Sequence, residues 1–338
     1  MNFTSTAKFD KIREITKQFK IFHNTSCNIG SSAAIVPNGD NNVIYASKQF
    51  LDSIHFDLTY FPLKHLGYKF VVVVISDLLA HNAIPAYISV QLNVSNRFSF
   101  ADIEELMSGV RYCCEQFEID LLQFDVGTSQ QGLVATVTAM GNVEKSAMRS
   151  LSGAKENDLI CVTGDLGAAY AGLLLLEREK KVFEVNPNMQ PDFEGYDYLL
   201  ERQLKPEPRY EIIKDLKKYN IEPTAMTLVS NGLAAAILHI CRASQKGCQL
   251  IEAKLPIDIV TFQALKNFNI VATTAALNGG DDYELLFTIR PSDIEKIEPL
   301  KKDVSIVGYI KEKNAGYHLI TNDDKQLPLT SQEFSPIE

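Results

Sequence analysis

"DLICVTGDLGAAYAGLLLLEREKK", Asp158 to Lys181, changes its period halfway along. Leu159 to Val162 form a short apolar run of the kind a buried strand carries. Gly164 and Gly167 then bracket a turn, and from Ala168 the apolar residues take helical spacing and end in Glu177, Arg178, Glu179, Lys180 and Lys181. A strand, a glycine-bearing turn and a helix in direct succession predict an α/β or α+β fold.

Upstream, "IDLLQFDV" (119–126) and "GLVATVTAMGNV" (132–143) read as strands separated by a polar turn, and "AIPAYISVQLNV" (83–94) alternates as a strand does. "SFADIEELMSGVRYCCEQF" (99–117) has a serine and an aspartate near its start and apolar residues at helical spacing, which predicts a helix. Val43–Ala46 reads as a short strand. "FVVVVISDLLA" (70–80) is apolar throughout, so it is open to either strand or helix. Downstream, a proline-rich connection surrounds a short helix over 183–213. "TLVSNGLAAAILHICRAS" (227–244) is a turn leading into a helix, and "LNGGDDYELLFTI" (277–289) is a glycine turn leading into a strand. The charged, aperiodic stretch "EKSAMRSLSGAKEND" places a domain break near 145–152, giving domains 1–148 and 149–338.

The 338 residues suffice for two domains, and 46% hydrophobic with 22% charged residues is the balance of a soluble globular chain. No apolar run reaches the roughly 18 residues of a membrane span. A net charge of −9 without basic runs argues against nucleic acid as partner. Six cysteines without a CxxC pair read as free thiols, and the polar N-terminus is no secretory signal, so the expected location is cytoplasmic.

"NIGSSAA", "LDSIHFDLTYFPLKHLGYK", "VISDLLAHNAIP", "IDLLQFDVGTS", "VTGDLG", "RQLKPEPR", "LVSNGLAAAILHI" and "LNGGDDYELLF" follow one another in the order and spacing of the thiamine-monophosphate kinases. The chain resembles that family, part of the aminoimidazole ribonucleotide synthetase and selenophosphate synthetase superfamily, over nearly its whole length. The resemblance implies an N-terminal α/β domain that forms a barrel with its twin in a homodimer, and a C-terminal α/β sandwich domain. It also implies transfer of the ATP γ-phosphoryl to thiamine monophosphate, with magnesium.

The resemblance marks Asp125, Gly164, Asp165, Gly167, Lys205 and Arg209 as nucleotide or phosphate contacts, and His55, Asp282 and Tyr283 as substrate-side contacts. Beside these stand structural readings: a tight turn at 162–167, a solvated loop at Lys205 and Arg209, and Asp281, Asp282 and Glu284 binding loop amides. The family's metal carboxylates fall on Ser31, Ser32, Lys48, Asp77, Asp125, Leu228 and Asn231. Only Asp77 and Asp125 are acids here, and Lys48 replaces an anion by a cation. Neutral serine and asparagine oxygens are weak magnesium ligands. ATP and magnesium are thus expected from the family, while their binding here is doubtful. The sequence predicts a degenerate, catalytically impaired or inactive member that keeps the dimer and room for a small phosphorylated ligand. The alternative is an active kinase with a remodelled metal site. Lys48 is expected to lie between Asp77 and Asp125 and to neutralise both.

Overall fold

The computed structural model describes residues 32–331 without a break, together with 12, 15, 16, 19, 20, 22, 333 and 334. Ser31 and Cys27 lie outside the described residues. The chain divides into two compact units, Asn24–Ser146 with Gly172–Pro208, and Ala147–Ala171 with Arg209–Glu338.

The first unit is built on a mixed five-stranded sheet. Its strands are β1 (Ala34–Asn38), β2 (Asn41–Leu51), β3 (Ile84–Val94), β4 (Asp120–Thr128) and β5 (Leu133–Glu144), in the order β1-β2-β5-β3-β4. The short strand expected at 43–46 is the middle of the eleven-residue β2. Only β3 and β4 pair in parallel. The sheet does not close on itself, so β1 and β4 are its edges.

One face carries Ile44, Ala46, Phe50, Val90, Leu92, Ala135, Val137 and Ala139, all buried. The ambiguous apolar run at 70–80 belongs to a helix, α1 (Leu63–Leu79), buried at every residue from Leu66 onward. A helix enclosed on all sides needs no polar stripe, which is why its sequence shows no period. α2 (Phe100–Phe117) starts at Ser99, whose hydroxyl accepts from the Asp102 amide while the Asp102 side chain accepts from the Ser99 amide. The two helices touch through glycines. A Cβ on Gly67 would stand 2.0 Å from the Leu106 carbonyl oxygen, and one on Gly109 would stand 1.8 Å from that of Lys64.

The second unit holds a seven-stranded sheet. Its strands are β6 (Leu159–Thr163), β7 (Ala225–Val229), β8 (Gly247–Ile251), β9 (Glu284–Ile289), β10 (Val304–Lys311), β11 (Tyr317–Ile320) and β12 (Gln326–Pro328), in the order β12-β11-β8-β10-β6-β9-β7. The strand, turn and helix read over 158–181 are β6, a turn with Gly164 and Gly167 at positive φ, and α3 (Ala168–Val185). The proline-rich connection holds α4 (Asp197–Leu204), which belongs to the first unit, and α5 (Tyr210–Lys218), which belongs to the second. Then come α6 (Leu233–Ser244), α7 (Ile259–Asn267), α8 (Ala272–Asn278) and α9 (Ile294–Ile297). The core of this unit packs Ile160, Val162, Val229, Ile237, Ile240, Leu250, Leu286 and Ile310. The five described cysteines are buried free thiols.

Candidate functional site

Asp77 sits in the last turn of α1, on the side of that helix that faces the sheet. Lys48 occupies the helix-facing row of β2, between the buried Ala46 and Phe50. Its ammonium lies 3.0 Å from Asp77 Oδ2, and the Asp77 side chain is 2% exposed. Burial pushes the Asp77 carboxyl above the ordinary aspartate value, opposed by the Lys48 charge and by hydrogen bonds from Lys48 and Ser32. Three of the marked metal positions therefore converge here: Ser32, Lys48 and Asp77.

Asp125 does not join them. Along one row of the sheet Lys48 pairs with Val137, Val137 with Val90, and Val90 with Phe124. Asp125 belongs to the next row, with Gln91, Thr136 and Gln49. Neighbouring rows face opposite ways, so Asp125 is on the open face of the sheet and Lys48 is on the helix face. The Asp125 carboxylate accepts from the Val126 amide at 2.9 Å. The expectation that Lys48 sits between the two acids is corrected by this register. Among the described residues no cluster of three His, Cys, Asp or Glu side chains is placed to hold a metal ion. With an ammonium on its one buried acid, the set that remains does not fit magnesium.

In the second unit, three of the marked motifs meet at Glu284, which is fully buried at the start of β9. The Arg209 guanidinium grips its carboxylate through Nε and Nη2, and the Thr163 hydroxyl donates to it at 2.5 Å. Thr163 Oγ1 in turn accepts from the Leu285 amide at 2.9 Å. The Asp282 carboxylate, 1% exposed, accepts from the Gly167 amide at 3.0 and 3.1 Å. A carboxylate of the chain itself therefore stands at the start of α3, where a phosphate was expected. Gly164 and the half-buried Asp165 form the turn between Thr163 and that amide.

The "GGDDY" turn is strained: Asp281 has φ +62° and Tyr283 φ +53°. The Asp281 amide donates to the Ser230 carbonyl at 2.8 Å, that of Tyr283 donates to the Val229 carbonyl at 3.0 Å, and the Tyr283 hydroxyl donates to Asp281 Oδ1 at 2.9 Å. Leu228 is a buried β7 residue paired with Leu285, so a core side chain stands at this marked position.

Lys205 caps α4 with its ammonium 5.4 Å from the centre of the Tyr68 ring and 5.9 Å from that of Tyr112. His55 is exposed, and its Nδ1 accepts from the Leu51 amide at 3.0 Å. Contacts that the sequence reading missed include Asp57 with Lys180 at 2.5 Å and the Tyr60 hydroxyl donating to Glu177 at 2.7 Å. The reading also missed the pairing of Asn231 with Glu333, which are 102 residues apart and carry no local pattern that links them.

Residues 30–143 match the family model described as AIR synthase related protein, N-terminal domain. Over 329 residues the chain is 32% identical to a thiamine-monophosphate kinase of Buchnera aphidicola subsp. Acyrthosiphon pisum, covering 94% of this chain and 96% of that one. Over 343 residues it is 29% identical to the thiamine-monophosphate kinase of Bacillus subtilis, covering 97% and 98%. Among solved structures, "AaThiL complexed with AMPPCP and TMP" matches with a TM-score of 0.80 at 25% identity, covering 95% of this chain and 94% of that one. The fold extends to the hydrogenase maturation protein HypE of E. coli, with a TM-score of 0.68 at 16% identity and 85% of each chain covered.

Proposed function

This chain belongs to the thiamine-monophosphate kinase family, and on that premise we propose that it has lost the family's phosphoryl transfer and serves as a non-catalytic member. The observation that carries the reading is the Lys48–Asp77 pair. Two polyanions, ATP and a phosphomonoester, react only where cations offset their mutual repulsion. Here the buried acid that would anchor such a cation already holds an ammonium. The other candidates are engaged within the chain as well. Arg209 is committed to Glu284, the Gly167 amide to Asp282, and Lys205 to two tyrosine rings.

The chain is proposed to act as a cytoplasmic homodimer. β4 is an edge strand whose Leu121, Phe124 and Val126 are 44%, 40% and 38% exposed, while their partners Ile88, Val90 and Leu92 on β3 are buried. An uncovered apolar edge strand is a template for a second copy of the chain. A partner strand there would extend the open sheet toward the expected barrel.

The deciding assay measures thiamine diphosphate formed from ATP and thiamine monophosphate in the presence of magnesium. Product at the level of the instrument blank is expected. Robust turnover would establish instead an active kinase with a remodelled metal site. Thermal shift with ATP and thiamine monophosphate, each alone, then reports whether a ligand site persists.

A further inference from the structure

β4 pairs with β3 on one side and ends the sheet on the other. Past the register shift near Leu122 its side chains alternate: Gln123 and Asp125 lie on the open face, Phe124 and Val126 on the helix face. The row of Gln123 continues through Ser89, Thr138 and Ser47, and the row of Asp125 through Gln91, Thr136 and Gln49. Asp125 is the one charged side chain in these two rows. Among the described residues its carboxylate accepts only from the neighbouring Val126 amide, at 2.9 Å, and the exposed Gln123 side chain makes no hydrogen bond. This edge therefore shows an acceptor and a donor, two residues apart, that its own sheet leaves unused.

A second copy that pairs along this edge is related to the first by a two-fold axis, so the two β4 strands run antiparallel and every contact occurs twice. Opposed residues share a face, so the axis passes through a residue and not between two. Centred on Asp125, the seam would set like charges directly opposite, which is destabilising. Centred on Val126, it would set Asp125 against Gly127, and centred on Gln123 against Leu121, and neither has a side-chain donor. Centred on Phe124, it sets the Gln123 amide against the Asp125 carboxylate twice. The same centre sets Phe124 against its own copy and Leu122 against Val126, and these three are 54% (Leu122), 40% (Phe124) and 38% (Val126) exposed in the single chain.

We infer that two copies of this chain pair β4 against β4 with the axis at Phe124, joined on the open face by reciprocal Gln123–Asp125 hydrogen bonds and on the helix face by Phe124 against its counterpart. The inference rests on the homodimer reading and adds the register, which an apolar edge strand by itself leaves open. Polar complementarity selects it, because only this centre gives the one charge of the two rows a donor. Asp125 then serves recognition of a second copy, and a partner without an amide or hydroxyl at the facing position is disfavoured by the desolvation of that carboxylate.

The test places one cysteine at a time in the full chain, as Gln123→Cys, Phe124→Cys, Asp125→Cys and Val126→Cys, and oxidises each with copper phenanthroline before non-reducing electrophoresis. The parent, with its native cysteines, sets the background. A cysteine bridges its own copy only where it stands opposite itself, because diagonal neighbours lie beyond the roughly 7 Å Cα separation that a disulfide spans. Phe124→Cys is therefore expected to give about tenfold more covalent dimer than the other three. Gln123→Cys co-expressed with Asp125→Cys is expected to bridge although neither does so alone, and this pair keeps Phe124 in place. A maximum at Gln123, Asp125 or Val126, or a mixed pair that does not bridge, overturns the register. Sedimentation velocity of the parent separates the two readings. A dimeric parent whose cross-links fall elsewhere refutes the register alone, and a monomeric parent without cross-links refutes the register and the homodimer together.

Discussion

At Asp77 the physical question is how a carboxylate survives burial beneath a sheet, and the Lys48 ammonium answers it. Burial holds the folded-state value above the ordinary aspartate value, so the folded protein takes up this proton first as pH falls. The charged site therefore costs least below the ordinary value, and its cost grows as pH rises through the folded value. Lys48→Ala is expected to lower stability by about 1–3 kcal/mol at neutral pH, the figure discounted because the ammonium is partly exposed. The loss should shrink at acid pH below the ordinary aspartate value, where the folded chain already holds Asp77 protonated. Urea denaturation at the two pH values checks this, and an equal loss at both would refute the charge argument. Gly164 raises a different constraint. Its φ is +55°, and an added Cβ would stand 2.4 Å from Glu284 Oε1 and 2.5 Å from Arg209 Nη2. Gly164→Ala is expected to cost about 2–3 kcal/mol through backbone strain and displacement of that pair, read as a lowered urea midpoint.

Among elements, the end of β6, the residue before α5 and the first residue of β9 are fastened by a single carboxylate. Arg209→Ala leaves Glu284 buried with its main counter-charge removed, and a loss of about 3 kcal/mol is expected in denaturant titration. Arg209→Lys should recover only part of it, because an ammonium cannot reproduce the two-pronged grip. These elements were legible in the sequence because each announces itself locally. The β6 run is short and apolar, α2 opens with Ser99 and Asp102, and glycines precede α3, α6 and β9. α1 was not decidable because burial on every side erases the period that separates helix from strand. The order of the strands was also hidden. β4 and β5 are neighbours in sequence but do not pair, and it is this order, with its register, that turns Lys48 and Asp125 to opposite faces. At the candidate site the sequence revealed which charges had changed and put Lys48 beside Asp77, but it did not reveal that Asp125 would turn to the other face or that Glu284 would draw in Arg209. Spacing along the chain does not encode contacts between Thr163, Arg209 and Glu284, or between Asn231 and Glu333.

At the scale of the whole molecule, the proposed association rests on the uncovered apolar row on β4. Phe124→Asp places a charge in the middle of that row and is expected to turn a dimer into a monomer in sedimentation velocity, with little effect on the stability of each chain. An unchanged sedimentation coefficient would place the contact elsewhere. The Lys48–Asp77 pair has one more consequence, for dependence on the surroundings. A divalent ion has to be captured from solution, and its occupancy follows supply. An ammonium on its own stem is delivered by folding itself, can be neither diluted away nor chelated, and leaves no vacancy when the medium is depleted. Melting in excess EDTA is therefore expected to coincide with melting in millimolar magnesium, so that the fold holds through a magnesium shortage.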